Sequence, residues 1–232
     1  MIEIKKLDWD SNFFDLKIGK ISLTDINKND FDAFLSLKKK ENYQLIYVFS
    51  DSKIDFLAAQ LVDSKVTFQF EIENDLASKT SENIKILSKN HELNQNLLDL
   101  ALQSGEYSRF KIDENFPKNS FEKLYQLWIK NSLNHDIADA VMAFENQNQT
   151  DGLVTLKHDA DTTHIGLIAV NSEARGQKIG SQLLDAVKKI ASKKQKKYIN
   201  VATQLENELA CRFYEKNHFY IKKIEYIYHI WL

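Results

Sequence analysis

The chain is short of the residues that punctuate or cross-link a polypeptide: its 232 residues include one proline, six glycines and one cysteine. With so little proline and glycine, no flexible linker marks a boundary, and the length alone allows one or two domains. Cys211 by itself excludes an intramolecular disulfide and suits a reducing compartment, so a cytoplasmic protein is expected. No uncharged run reaches the length of a membrane span, and the opening MIEIKKLDWD lacks a signal-peptide pattern. Basic charge is not in excess either: a net charge of −2 argues against general nucleic-acid binding. A Walker loop, the three glycines of a dinucleotide fingerprint and a Gly-x-Ser-x-Gly elbow are all missing. The histidines His91, His135, His158, His164, His218 and His229 form no helical i, i+4 pair and meet no cysteine set, so no metal site is expected.

What is present fits an ordinary soluble globular chain, 43% hydrophobic and 28% charged. The first hundred residues alternate strand patterns over 1–6, 16–23, 45–50 and 66–73 with helix patterns over 30–40 and 54–61. A helix between the second and third strands supplies a crossover, so part of the sheet is expected to be parallel. A helix over 93–104 follows, then Gly105-Glu106-Tyr107-Ser108-Arg109-Phe110, a helix opening near Phe121, and strands near 138–145 and 152–157. Lys188, Lys189, Lys193, Lys194, Lys196 and Lys197 gather late on a further helix. They read as a solvated face beside the negative helix terminus, with contact to an anionic substrate as the alternative.

The most informative stretch is HIGLIAVNSEARGQKIG, from His164 to Gly180. An apolar strand passes through a short polar turn into a long amphipathic helix. A helix opening in this way points unpaired N–H groups, and the positive end of its dipole, at whatever occupies the turn. An anion suits that position, and Arg175 and Lys178 add charge to it. The run Arg175-Gly176-Gln177-Lys178-Ile179-Gly180 resembles the acyl-CoA loop of the GNAT N-acetyltransferase superfamily, with Lys178 in the place of a glycine. Lys178 is expected in the first helical turn, where no positive φ is needed. Downstream, Asn207, Ala210, Phe213, Tyr214 and Phe219 match the spacing of the superfamily's second motif, and His218 stands where glycine is usual, a residue able to take left-handed angles at some cost. Trp9-Asp10-Ser11-Asn12-Phe13-Phe14, residues 104–134 and Gly152-Leu153-Val154-Thr155-Leu156 together resemble the dTDP-fucosamine acetyltransferase family.

The resemblance implies an α/β fold: a GNAT-type mixed sheet flanked by helices over 105–232, preceded by a smaller α/β domain over 1–104 that contributes to the acceptor site. It implies acetyl-CoA as cosubstrate and, as acceptor, the 4-amino group of a dTDP-linked 4-amino-4,6-dideoxy sugar. Another amine (a UDP-amino sugar, a peptide N-terminus, a polyamine or an aminoglycoside) and a non-catalytic acyl-CoA-binding module are the alternatives. In this reading Ile168, Ala169 and Val170 hold the pantetheine arm, and a backbone N–H between Leu167 and Val170 meets the thioester carbonyl. Arg175, Gly176, Gln177, Lys178, Ile179 and Gly180 bind the cofactor's phosphates; Asn207 binds the cofactor or simply caps a helix.

Tyr214 is the expected general acid for the leaving thiolate, or else an aromatic wall on its helix. A phenol near 10 facing a thiol near 8.5 is mismatched by roughly one and a half units, so positioning must help. Tyr107, Arg109 and Phe110 are expected to contact a nucleotide sugar by stacking and diphosphate binding, with packing as the alternative. The general base stays open among a carboxylate, a water chain and a histidine such as His164 or His229. A last strand carrying Tyr226, Tyr228 and Trp231 is expected either to pair with a second chain, giving a homodimer, or to line the acceptor pocket.

Overall fold

Runs such as LIYVFS and HIGLIAV, rich in β-branched and aromatic residues, form strands packed on both faces, and the amphipathic segments between them supply the covering helices. The structure is a computed structural model that describes residues 2–23, 28–54, 59–72, 81–147 and 149–232. In chain order it contains β1 (Lys5–Lys6), α1 (Asp8–Phe14), β2 (Ile18–Leu23), α2 (Lys28–Lys40), β3 (Leu45–Ser50), β4 (Gln60–Glu71) and β5 (Ile84–Ile86). There follow α3 (Gln95–Ser104), α4 (Arg109–Ile112), α5 (Ser120–Leu133), β6 (Ala140–Asn146), β7 (Gln149–His158) and β8 (Thr162–Val170). The chain closes with α6 (Ile179–Lys193), β9 (Tyr198–Gln204), α7 (Glu208–Lys216) and β10 (Tyr220–Trp231).

Among the described residues these strands join in one ten-stranded sheet, ordered β1-β2-β3-β10-β4-β9-β8-β7-β6-β5. β2 and β3 are parallel across α2, and β8 and β9 are parallel across α6, as helical crossovers require. The division expected at residue 104 falls between α3 and α4 and separates no layers. Strands from either side of it alternate in the sheet, with β10 inserted between β3 and β4, and β4 against β9.

Side-chain alternation sorts the core onto two faces. Leu45 and Tyr47 of β3 join Leu97, Leu124 and Ile129 of α3 and α5, whereas Ile46 and Val48 turn the other way to Phe31 and Phe34 of α2. On that second face, beyond α2, Leu183, Leu184 and Val187 of α6 and Tyr214 of α7 cover Val66, Phe68, Ile199 and Val201.

Several sequence expectations change. Residues 55–58 of the expected helix over 54–61 lie outside the described residues, and Gln60 and Leu61 already belong to β4. Residues 9–14 form most of α1, where Trp9 stacks on Phe13 at 5.2 Å. β10 is no edge on which a second chain could pair: it is hydrogen-bonded on both sides, and Tyr228 Oη accepts the Ile54 N–H at 2.8 Å. Lys188 is not solvated. It is 7% exposed, donates to the Asn217 carbonyl at 3.1 Å and lies 4.2 Å from the Phe70 ring, because its position on α6 faces the sheet.

Two irregularities in β8 prepare the site. Its parallel pairing with β9 covers only Thr162↔Tyr198 to Ile165↔Val201, although β8 runs on to Val170 and β9 to Gln204, so the strands part beyond that point. On its other edge, Gly166 and Leu167 together oppose the single residue Thr155, a β-bulge that returns Leu167 and Ala169 to the α3/α5 face. Thr155 Oγ1 accepts the freed Leu167 N–H at 2.8 Å, and a Cβ on Gly166 would stand 2.8 Å from that oxygen. Thr155→Val leaves a buried N–H without an acceptor and is expected to cost about 1–3 kcal/mol in urea unfolding, while Thr155→Ser stays near wild type.

Candidate active site

Where β8 and β9 part, a cleft of about 790 Å³ opens and passes from one face of the sheet to the other. On the α6 side its walls are Arg175, Gly176, Lys178, Ile179 and Gly180, with Asn207, Phe213 and Tyr214 of α7 and its cap. Between the strands lie Ile168, Ala169 and Val170 against Ala202, Thr203 and Gln204. On the α3/α5 side Gln103, Tyr107, Tyr125 and Trp128 close it. The sequence therefore brings together all but Gln177 of the expected cofactor residues, with Tyr214 and Tyr107 on the same cleft.

The loop between β8 and α6 is bent by left-handed residues. Gly176 has φ 81° and Lys178 φ 63°, ψ 14°. Lys178 thus stands just outside the helix rather than in its first turn, a correction to the sequence reading, and holding a lysine there costs about 1 kcal/mol. Among the described residues no side chain caps α6, so its first N–H groups remain unpaired at the cleft wall, a setting that suits an anion. His218 takes φ 68°, as its position in place of a glycine led one to expect.

Asn207 caps α7 through Oδ1, accepting the Ala210 N–H at 3.2 Å, and also lines the cleft. Tyr214 is 3% exposed among Phe68, Phe213 and Phe219, and burial, with Cys211 nearby, pushes its phenol well above the usual tyrosine range. It is held as the neutral, proton-carrying form. The Leu167 N–H, engaged by Thr155, is not free to meet a carbonyl, which leaves the groups beyond it on β8.

On the acceptor face the short helix α4 sorts its neighbours. Ser108 caps it, Tyr107 before the cap lies on the cleft, and Arg109 and Phe110 turn inward. Arg109 lies 4.4 Å from the Tyr47 ring and 4.6 Å from that of Phe110, so it meets the interior rather than the cleft. Burial lowers its pKa, opposed by Tyr47, Asp63 and Asp10. Asp63 on β4 is 7% exposed, with Oδ1 buried and unpartnered among the described residues. Its Oδ2 accepts from Gln204 Nε2 at 3.4 Å, and Gln204 is itself a cleft wall. Burial pushes the Asp63 carboxyl up to about 6, against the pull of the Arg109 charge.

His229, considered as a base, lies away from the cleft walls. Its Nδ1–H donates to Asp113 Oδ2 at 2.5 Å, Trp231 Nε1 donates to the same oxygen at 3.0 Å, and Tyr47 stacks on the imidazole at 4.7 Å. Burial lowers the His229 pKa although Asp113 opposes it. In Asp113 burial is outweighed by the His229, Trp231 and Asn115 hydrogen bonds, which hold it at about 2. The imidazole is neutral and the carboxylate charged. His164 does line the cleft, hydrogen-bonded through Nε2 to Asp159 Oδ2 at 2.7 Å. Among the described residues no three His, Cys, Asp or Glu side chains come together to hold a metal.

The sequence reading gives no site role to Asp63, Gln204 or Gln103, and it places Trp128 only within a helix and the 104–134 run. The one signal for Asp63 was a carboxylate inside a strand, between Val62 and Val66, and a second β-bulge at that point shifts the alternation that would have marked it as inward.

Comparison with known proteins adds four findings. The family model described as Acetyltransferase (GNAT) family matches residues 100–219. The spore coat polysaccharide biosynthesis protein SpsD of Bacillus subtilis (strain 168) is 24% identical over 235 residues, 96% of this chain and 81% of the relative. Among solved structures, a functionally unknown conserved protein from Staphylococcus epidermidis ATCC 12228 has a TM-score of 0.70 at 14% identity, covering 98% of this chain and 90% of that one. A GCN5-related N-acetyltransferase from Sphaerobacter thermophilus has a TM-score of 0.56 at 11% identity, covering 99% and 76%. At such identities the structures show the shared fold.

Asp63 sets a stability expectation. Its carboxyl titrates near 6 when folded and near 3.9 when unfolded, so the charged form opposes folding at neutral pH and the opposition fades as pH falls through that window. Asp63→Asn should raise the unfolding free energy at pH 7.5 by roughly 2–3 kcal/mol, with less gain at pH 4.5, in denaturant titrations.

Proposed function

The chain belongs to the GNAT acetyltransferase family, an acetyl-CoA-dependent N-acetyltransferase, and from that premise we propose that it acetylates the 4-amino group of a dTDP-linked 4-amino-4,6-dideoxy sugar. The observation that carries the reading is the through-going cleft, with an anion-suited loop at one face and an aromatic and polar chamber at the other. The polysaccharide-biosynthesis name of the Bacillus relative supports a sugar acceptor.

The cofactor residues fit their role on one test. The first-turn N–H groups of α6 are uncapped and the loop before them is bent by Gly176 and Lys178, as a diphosphate cradle needs. Arg175 and Lys178 neutralise charge there, and the unpaired edge of β8 from Ile168 to Val170 binds the amides of the pantetheine arm. An N–H on that edge stabilises the oxygen on which charge develops as the amine nitrogen attacks the carbonyl carbon. The carbon–sulfur bond then breaks, Tyr214 gives its proton to the departing sulfur, and the proton still on the new amide nitrogen passes through water to the phenolate, which restores Tyr214. Burial raises the phenol, which keeps Tyr214 protonated until the sulfur arrives and leaves the proton transfer to depend on close positioning.

Asp63 is the base we assign. Asp63 lies behind the cleft wall formed by Gln204, and a pKa near 6 leaves it mostly ionised at neutral pH, so it takes the ammonium proton through a water beside Gln204 rather than by direct contact. Arg109 balances its charge, and Tyr107 and Tyr125 flank the sugar.

The test is a thiol-release assay with acetyl-CoA and dTDP-4-amino-4,6-dideoxygalactose, run beside the 4-epimer and the UDP analogues. One dTDP sugar turned over well above the rest is the expected result; silence with every nucleotide sugar, while another amine is acetylated, overturns the acceptor assignment. Tyr214→Phe should keep acetyl-CoA affinity and lose roughly 10²–10⁴-fold in kcat. Wild-type kcat/KM should fall below about pH 6 as Asp63 takes up a proton, and Asp63→Asn should lose both that limb and roughly 10²-fold or more in rate.

A further inference from the structure

At the end of the cleft away from the α6 loop, a lysine and a histidine stand side by side on adjacent strands. Lys157 of β7 and His164 of β8 are register partners, so their side chains stand on one face, and both line the cleft together with Trp128 and Ser132 of α5. Neither has a part in the chemistry above. Each is tethered to an acid: Lys157 Nζ to Asp139 Oδ1 at 3.1 Å, and His164 Nε2 to Asp159 Oδ2 at 2.7 Å. These tethers are weak, since the Lys157 and His164 side chains are 52% and 43% exposed, and exposed pairs contribute little.

The acids do not depend on them. Asp139 Oδ2 also accepts the His158 N–H at 2.7 Å, and Asp159 Oδ1 accepts the Thr162 N–H at 2.9 Å. Lys157 and His164 can therefore turn to an incoming anion while both carboxylates keep a partner. The spacing is also suitable. His164 lies four residues before Ile168, about 13 Å along β8 from the reacting edge, which accommodates a hexose ring and the phosphate ester beyond it. Trp128, packed against Tyr125 at 4.9 Å, supplies an aromatic face beside that point.

We propose that Lys157 and His164 form a second diphosphate site, separate from the α6 loop, which binds the nucleoside diphosphate of the acceptor with its base against Trp128. The inference rests on the nucleotide-sugar reading and replaces Arg109 and Phe110, which lie inside the fold, with residues on the cleft.

The probe is thymidine diphosphate, titrated calorimetrically into protein already saturated with CoA so that the α6 loop is filled. Binding should persist under CoA and weaken roughly 10- to 100-fold in Lys157→Ala/His164→Ala, a variant whose half-exposed positions leave folding intact. Trp128→Leu should weaken thymidine diphosphate and spare inorganic pyrophosphate. Displacement of thymidine diphosphate by CoA, equal affinity in the double variant, or no binding at all overturns the site. The two readings fail separately. Thymidine diphosphate binding that depends on Lys157 and His164, without turnover of any dTDP-amino sugar, retires the proposed acceptor and keeps the site. Turnover with an unaltered sugar KM in the double variant retires the site and keeps the acceptor.

Discussion

The parting of β8 from β9 is the constraint on which the rest of the molecule depends. Parallel strands ordinarily pair along their whole shared length, and each unpaired buried N–H or C=O costs free energy comparable to a lost hydrogen bond. Here pairing stops at Ile165↔Val201 while both strands continue. The bulge at Gly166 and Leu167 makes the separation possible by turning β8, and Thr155 removes the one unsatisfied donor the turn would strand. What remains unpaired is a strand edge whose natural partner is an extended amide chain. The same gap joins the two faces of the sheet, so a group bound beside α6 can meet one bound beside α3 and α5.

The interior around Arg109 is held together differently. Arg109 is a lone guanidinium among Tyr47, Asp63 and Asp10, and the polar atoms around it are under-satisfied: Tyr47 Oη, Asp63 Oδ1, Arg109 Nε and His229 Nε2 are buried with no partner among the described residues. A core built only for stability would avoid such groups, and their concentration around Arg109, behind the cleft wall formed by Gln204, is a local conflict that stability alone does not explain. The Asp113–His229–Trp231 hydrogen bonds contribute the rigid side of this arrangement. They fasten the turn after α4 to β10 and so hold Arg109 against the Tyr47 ring.

Much of the α6 side was legible in the sequence because its chemistry is local. A strand, a small-residue turn and a helix start within seventeen residues, and Asn207 and Tyr214 follow one strand and one helix later, close enough in the chain for the family resemblance to gather them. The polar cluster around Arg109 was not legible, because it is built from β3, β4, β10 and α4, brought together by sheet order rather than by sequence distance. Arg109 looked like a ligand for phosphate, and only the cap at Ser108 decides that Tyr107 faces out while Arg109 faces in. Lys178 looked helical since a lysine rarely stands at positive φ; the strain becomes visible only in the backbone. Lys188 looked solvated in a run of lysines, and the 3.6-residue period of α6 is what turns it toward Phe70.

The place of β10 bears on how the protein comes into being. Its residues are the seam between β3 and β4, and the bond from Ile54 to Tyr228 spans 174 positions of the chain. On a ribosome, β3 and β4 would emerge long before their shared neighbour and would wait with open edges, one of the conditions under which strands pair with the wrong partner. Folding is then governed by a late, long-range closure, slow by the measure of its contact distances. Shielding by a chaperone during synthesis would matter more for this chain than its modest size suggests.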